Sequence, residues 1–322
     1  MAPLKIGMAW VASALAIAAP LALPQTYPSK PIRIVVPFPA GGTSDTVPRL
    51  IAQKLSNRFG QPVVVENRPG GDTLIGTETV AKSVPDGYTV LSTSSSAITV
   101  LPHTHKRLPY DPFKDFVHVV QTTYVQFVLA VNPSVPAANV AELVALARSK
   151  PGKLNYASGS AGGYITGEMF KLATGTDIVS VPYKGAAPAT TDLLSGQVNM
   201  MFATFGIAIP YFKAKRLNAL AVTGEKRSPA LPDVPTMAEA GVKDFESNAS
   251  WGFSVPKGTP PDVVRKLNGE VSAVLRMPDI IEKILAQGVE PRSGTPEEYT
   301  ALLRADFEKY RILLPRIGIK PE

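Results

Sequence analysis

Apolar positions along the chain fall into short β-branched runs, separated by turn residues and by stretches of helical spacing. Ile32-Arg33-Ile34-Val35-Val36, closed by Pro37, reads as a buried strand. Val47 to Phe59 has helical spacing, and Val63 to Asn67 is a second strand. Leu74 to Ala81 reads as a helix, and Tyr88 to Leu91 as a third strand behind the turn Pro85-Asp86-Gly87. Strand and helix in alternation predict a parallel sheet covered on both faces.

The pattern restarts after Phe127. Strands are expected at Val128–Val131, Lys153–Ala157, Val179–Tyr183, Val198–Phe202 and Ala219–Val222, with helices over Val140–Ser149, Gly163–Ala173 and Pro188–Ser195. Asn139 is placed to cap the first of these helices, with Glu142 three residues on in a capping-box arrangement. The tail differs. One strand, Ser250–Val255, precedes helical stretches at Pro261–Leu275, Asp279–Gln287 and Pro296–Leu314, the last capped by Thr295. A tail with one strand cannot build its own sheet and is expected to pack back on the first α/β unit. The predicted fold is therefore α/β. It has two domains, residues 26–124 plus 251–322 and residues 125–250, joined by two chain crossings around a cleft.

Residues 1–25 read as a signal peptide: Lys5 is the only charge before Lys30, and Ile6 to Ala19 is apolar apart from Gly7 and Ser13. An uncleaved anchor or a buried helix is the alternative. The remainder is expected to be an exported, soluble protein. Its 322 residues suit two domains at roughly 100–200 residues each. A composition of 45% hydrophobic and 18% charged residues argues against disorder over most of the length. The absence of cysteine excludes disulfides, thiol catalysis and iron–sulfur clusters without assigning a compartment. The net charge of +7 is spread along the chain, in runs no longer than pairs such as Lys106-Arg107, so no nucleic-acid partner is expected.

Four polar segments follow predicted strands. Pro37 to Asp45 contains Gly41-Gly42, which permit close backbone approach, and the hydroxyls of Thr43 and Ser44. The segment suits a carboxylate or phosphate, or is a tight turn capped by Ser44 or Asp45. Ser158-Gly159-Ser160-Ala161-Gly162-Gly163 is a second anion cradle or a plain glycine-rich connection. Tyr183 could line a cleft, whereas Lys184 beside it reads as a solvated charge. Ser94-Ser95-Ser96 forms a further polar lip. In open α/β sheets ligands bind beyond the carboxyl ends of the strands, where all four segments lie. Nucleophile-elbow, P-loop, dinucleotide-fingerprint and H-E-x-x-H motifs are absent. The histidines are His103, His105 and His118; the first two sit in a proline-rich turn with no carboxylate before Asp111. No catalytic residue, metal or cofactor is therefore assigned.

Eight motifs in order carry a resemblance: Pro37–Gly42 with Asp45, Val63–Gly70, Pro85–Thr89, Leu108–Pro112, Pro151–Tyr156, Val181–Gly185, Arg227–Thr236 and Gly294–Glu298. Together, from about Tyr27 to Ile319, the chain resembles the substrate-binding proteins of tripartite tricarboxylate transporters, the Bug-type periplasmic solute receptors. The resemblance implies a type II periplasmic-binding-protein-like receptor, a monomer without turnover. It would close on a carboxylate and deliver it to membrane transporter subunits. The ligand would be held largely by backbone groups and ordered water from two facing loops. Carried over, these loops are Phe38, Gly41, Gly42, Thr43 and Ser44 on one side and Ser158, Gly159, Ser160, Ala161 and Gly162 on the other, with Asp45 capping its helix. Ser94, Ser95, Tyr164, Tyr183 and Thr204 complete the expected site. Tyr164 stands where the family commonly has His, Asn199 replaces a frequent Asp, and Ala203-Thr204-Phe205 lies in the most variable stretch. The resemblance implies a mono- or dicarboxylate, and the loss of that His and Asp with Tyr164 and Phe205 added suits a bulkier or aromatic one. A hydrolase or isomerase using the same cleft, or a sensor feeding a signalling partner, is the alternative.

Overall fold

The computed structural model describes residues 27–41 and 43–321; the expected signal peptide and Gly42 lie outside them. The first unit begins with β1 (Ile32–Val36), α1 (Thr43–Phe59), β2 (Val63–Asn67), α2 (Leu74–Ala81) and β3 (Thr89–Ser94). β1 pairs in parallel with both β2 and β3. Its alternation sorts side chains to two faces. Ile32, Ile34 and Val36 pack with Val47, Ile51 and Leu55 of α1, whereas Val35 packs with Val80 of α2 and Leu91.

Two short helices follow, α3 (Ser95–Thr99) and α4 (Leu101–Thr104). His103 therefore lies in a helix rather than in a turn. Its Nε2 meets the Phe307 carbonyl at 3.0 Å, so it braces the C-terminal helix.

β4 (Phe116–Val131) is the main departure from the expected pattern, 16 residues long where a four-residue strand was predicted. Its polar residues interrupt the apolar run but are paired within the fold. The His118 ring, buried, lies 2.9 Å from Ser254 Oγ and 3.1 Å from the Pro112 carbonyl. Burial pushes its pKa down to about 4, against which the Pro112 hydrogen bond acts only in part.

The second unit continues with α5 (Val140–Ser149), β5 (Asn155–Ser158), α6 (Ala161–Thr174), β6 (Val179–Pro182), α7 (Ala186–Ser195), β7 (Met200–Thr204), α8 (Phe205–Lys213) and β8 (Asn218–Val222). β5 pairs in parallel with β6 and β7. β4 alternation again divides the core. Leu129 and Val131 face α5 and α6 through Leu143, Ile165 and Phe170, whereas Val128 and Ala130 face α7 and α8 through Leu193 and Ala208.

The chain returns through β9 (Asn248–Pro256) and ends in α9 (Pro261–Leu275), α10 (Pro278–Leu285), β10 (Glu290–Pro291) and α11 (Pro296–Arg316). The strand order is β2-β1-β3-β9-β4-β7-β5-β6, with β8 and β10 also on β4. The parallel pairing expected of the first unit holds for β1, β2 and β3. β9 runs antiparallel to β3 and to β4, and β4 runs antiparallel to β7, placing an antiparallel seam between two parallel halves.

β4 changes partners at the seam: Gln126 pairs with β9, and Phe127 pairs with β7. The tail packs on both halves. α9 closes the first core through Val264, Leu267 and Val271, whereas Tyr310 and Leu314 of α11 enter the second. A capping box at Thr295 starts α11, with Thr295 Oγ1 accepting from the Glu298 amide at 3.2 Å. Among the described residues no helix is long and apolar enough to cross a membrane.

Candidate functional site

The parallel strands of both halves end toward one another, so the loops behind β1, β3, β5, β6 and β7 surround the seam. The β1–α1 loop is braced from within. Asp45, 4% exposed, accepts from the Gly41 amide at 3.0 Å, from Arg49 Nε at 3.0 Å and from Asn67 Nδ2 at 2.8 Å. Asn67 Nδ2 also donates to the Phe38 carbonyl at 3.1 Å, tying the end of β2 to the same loop. Burial pushes the Asp45 carboxyl up, but the hydrogen bonds from Arg49, Gly41 and Asn67 outweigh it and hold the group below the usual carboxylate range. Asp45, inside the first turn of α1 rather than at its cap position, ties the loop together from there. Gly41 has φ of +97°, a backbone region that favours glycine. Phe38 packs against the first core, and Thr43 and Ser44 lie half-buried in the first turn of α1.

On the facing lobe, Ser160 caps α6, its Oγ accepting from the Gly163 amide at 3.1 Å. The amides of Ala161 and Gly162 are the first two of the helix and have no intrahelical acceptor. They present N–H groups and the positive end of a 14-residue helix. Two neighbours enforce glycine here. A Cβ on Gly159 would lie 2.8 Å from the Gly185 carbonyl, and one on Gly162 would lie 2.7 Å from Phe127 Cζ.

A pocket of about 60 Å³ lies at the seam beside the start of α6. The first lobe contributes Ser95, Ser96 and Val100; the second contributes Phe127, Ala161, Gly162 and Ile165. Ser247, Asn248 and Ala249 of the returning chain and Tyr310 of α11 complete it. Of the residues expected from sequence, Ser95, Ala161 and Gly162 meet in this pocket. Phe38, Gly41, Thr43, Ser44, Ser158, Gly159, Tyr183 and Thr204 are not among its lining residues.

Several expected hydroxyls are already engaged. Ser94 Oγ lies 2.5 Å from Ser96 Oγ and also caps α3, and Ser95 Oγ accepts from the Ser250 amide at 3.1 Å. Tyr183 donates to Asp192 at 2.7 Å. Tyr164 packs on the second core. Thr204 ends β7 and makes no side-chain cap to α8. Sequence reasoning missed Val100, Phe127, Ile165, Asn248 and Tyr310. The one available signal was that Phe127 stands where the α/β pattern restarts. Among the described residues there is no group of three or more metal-ligating side chains.

Residues 47–319 match the tripartite tricarboxylate transporter family receptor profile. The chain belongs to this family. BugT of Bordetella pertussis is 35% identical over 311 residues, covering 94% of each chain. Among solved structures, R. palustris Rpa4515 with adipate superposes with a TM-score of 0.79 at 35% identity, covering 92% of this chain and 100% of that one. MatC from Rhodopseudomonas palustris, with bound malate, has a TM-score of 0.73 at 29% identity, covering 89% of this chain and 100% of its own. The tripartite tricarboxylate receptors are periplasmic solute receptors with a two-domain, type II-like fold. In this member the antiparallel seam of β4 and β9 joins the two domains.

Proposed function

We propose that this chain captures a mono- or dicarboxylate between its two lobes, without turning it over, and delivers it to the membrane subunits of a tripartite tricarboxylate transporter. The observation that carries the reading is the start of α6 at Ala161 and Gly162, whose amides have no intrahelical acceptor and which line the inter-lobe pocket together with Ser95 and Ser96. A helix start of this kind attracts an anion at no desolvation cost to a fixed cation. The relatives with adipate and malate support a carboxylate ligand.

On this reading the first lobe is residues 26–124 with 251–322 and the second is residues 125–250, the exchange of sheets falling at Gln126 and Phe127 on β4. Export fits Lys5 followed by the apolar Ile6 to Ala19 stretch. The mature amino terminus should then lie near residues 22–26.

A thermal-shift screen of the purified protein tests the ligand class. A carboxylate at 100 times its Kd adds about 2.7 kcal/mol of stability, and its amide or ester adds none. Stabilisation by neutral sugars or cationic amines, with none by any carboxylate, overturns the reading.

A further inference from the structure

Four polar side chains lining the inter-lobe pocket, those of Ser95, Ser96, Ser247 and Asn248, have partners within the protein. Ser95 Oγ holds the Ser250 amide at 3.1 Å, Ser96 Oγ lies 2.5 Å from Ser94 Oγ, and Ser247 Oγ lies 2.6 Å from Thr166 Oγ1. Asn248 Nδ2 donates to Glu246 at 2.6 Å. The rest of the lining is Val100, Phe127, Ile165, Ala249, Tyr310 and the start of α6, and none of the lining residues is Lys, Arg, His, Asp or Glu. Beyond the amides of α6, the pocket therefore offers a ligand mainly apolar surface.

The charges just outside do not favour a second anion. Glu246 precedes Ser247, and Asp306 lies one helical turn before Tyr310. Burial raises the Tyr310 phenol, and the Asp306 and Glu246 carboxylates raise it further. Lys309, beside Tyr310 in α11, donates from Nζ to the Glu246 carbonyl at 2.7 Å. A carboxylate or hydroxyl pushed into the pocket would give up hydration against a mainly apolar lining that holds no charged side chain.

Resting on the receptor reading above, we propose that this pocket selects the uncharged aliphatic part of the carboxylate. Its carboxyl group sits at the α6 amides, and Val100, Phe127 and Ile165 read the tail. Size sharpens the class. At about 60 Å³ the pocket is less than half the roughly 150 Å³ cavity that admits benzene. It accepts a short alkyl chain rather than a ring, and any second carboxylate stays at the mouth of the cleft.

The test is isothermal titration of the purified protein with acetate, propanoate, butanoate, 3-hydroxybutanoate, benzoate, adipate and malate. Affinity is expected to rise about fourfold per methylene from acetate to butanoate. It should fall at least fourfold for 3-hydroxybutanoate, and benzoate should bind no better than acetate. Val100→Thr keeps the side-chain shape and should flatten the chain-length dependence to less than twofold per methylene. Phe127→Leu enlarges the pocket and should move the optimum to a longer chain. A flat series in the wild type overturns the inference, as does tighter binding of 3-hydroxybutanoate or benzoate than of butanoate; in both cases the receptor reading stands. An unchanged dependence in both folded variants removes these side chains from the role. If none of the carboxylates binds, adipate and malate included, the receptor reading itself fails and the inference with it.

Discussion

Gly288, in the turn after α10, rests directly on Gly206 at the start of α8. A Cβ on Gly288 would lie 2.2 Å from the Gly206 nitrogen, and one on Gly206 would lie 2.9 Å from the Gln287 carbonyl. The first lobe thus touches, backbone to backbone, the helix that leaves Thr204 on the second. Next to this contact, Glu290 accepts from Gln126 at 2.9 Å and from Ser228 at 3.3 Å, a polar bridge over the same crossing.

Gly206→Ala should force these backbones apart and lower stability by roughly 1–3 kcal/mol, as overpacking does. Gly269→Ala is the control. It lies inside α9, where an added methyl group meets nothing within 4 Å, and should raise stability by about 0.5–1 kcal/mol. Urea midpoints at unchanged m-value check both.

Asp45 predicts an acid limb. Its folded pKa lies below the unfolded value near 3.9, so its contribution is present above that value and is lost as pH falls through the folded one. Asp45→Asn should cost roughly 1–3 kcal/mol at neutral pH, because the Gly41 amide and Asn67 lose a charged acceptor. Its stability should decline less than that of the wild type below about pH 4. Parallel acid curves for the two proteins would contradict this assignment.

Asp306 predicts the opposite slope. Burial pushes its carboxyl up to about 6; Lys309 draws it down in part and Glu246 adds to the rise. The folded state then holds a proton that the unfolded chain has released, so this group's contribution falls as pH rises from about 4 to 6. Asp306→Asn removes that slope. Melting temperatures of the variant and the wild type should diverge in the variant's favour between pH 5 and pH 7.

Backbone capture and side-chain pairing can be ranked at the cleft. Gly41 sits at φ of +97° with open space around a Cβ, so Gly41→Val strains the loop by roughly 1–3 kcal/mol without a clash. We expect it to reduce carboxylate affinity at least tenfold in a folded protein. Lys184 is exposed, and Lys184→Ala should change affinity less than twofold. Titration of both with the same ligand decides the order, and a larger loss in Lys184→Ala would place an ion pair at the anion.

Most strands and helices were legible because their signals are local. The Ile32–Val36 run, the Asn139 and Thr295 caps and the stripe along α9 depend on periodicity and backbone chemistry within a few residues. The order of motifs likewise specified the family. Two features were not local. Much of β4 escaped notice because His118, Gln121 and Gln126 break its apolar pattern; His118 and Gln126 find their partners in Ser254 and Glu290, 136 and 164 residues away. The pocket draws on α3, β4, α6, the return strand and α11. No spacing rule connects Phe127 to Gly162 or Tyr310 to Ser247, because their proximity arises where an antiparallel seam brings two separately built lobes together. The chain alone determined most of its elements and its family. Which side chains line the pocket, and that Ser95, Ser96, Ser247 and Asn248 bond within the protein, was decided by tertiary packing across that seam.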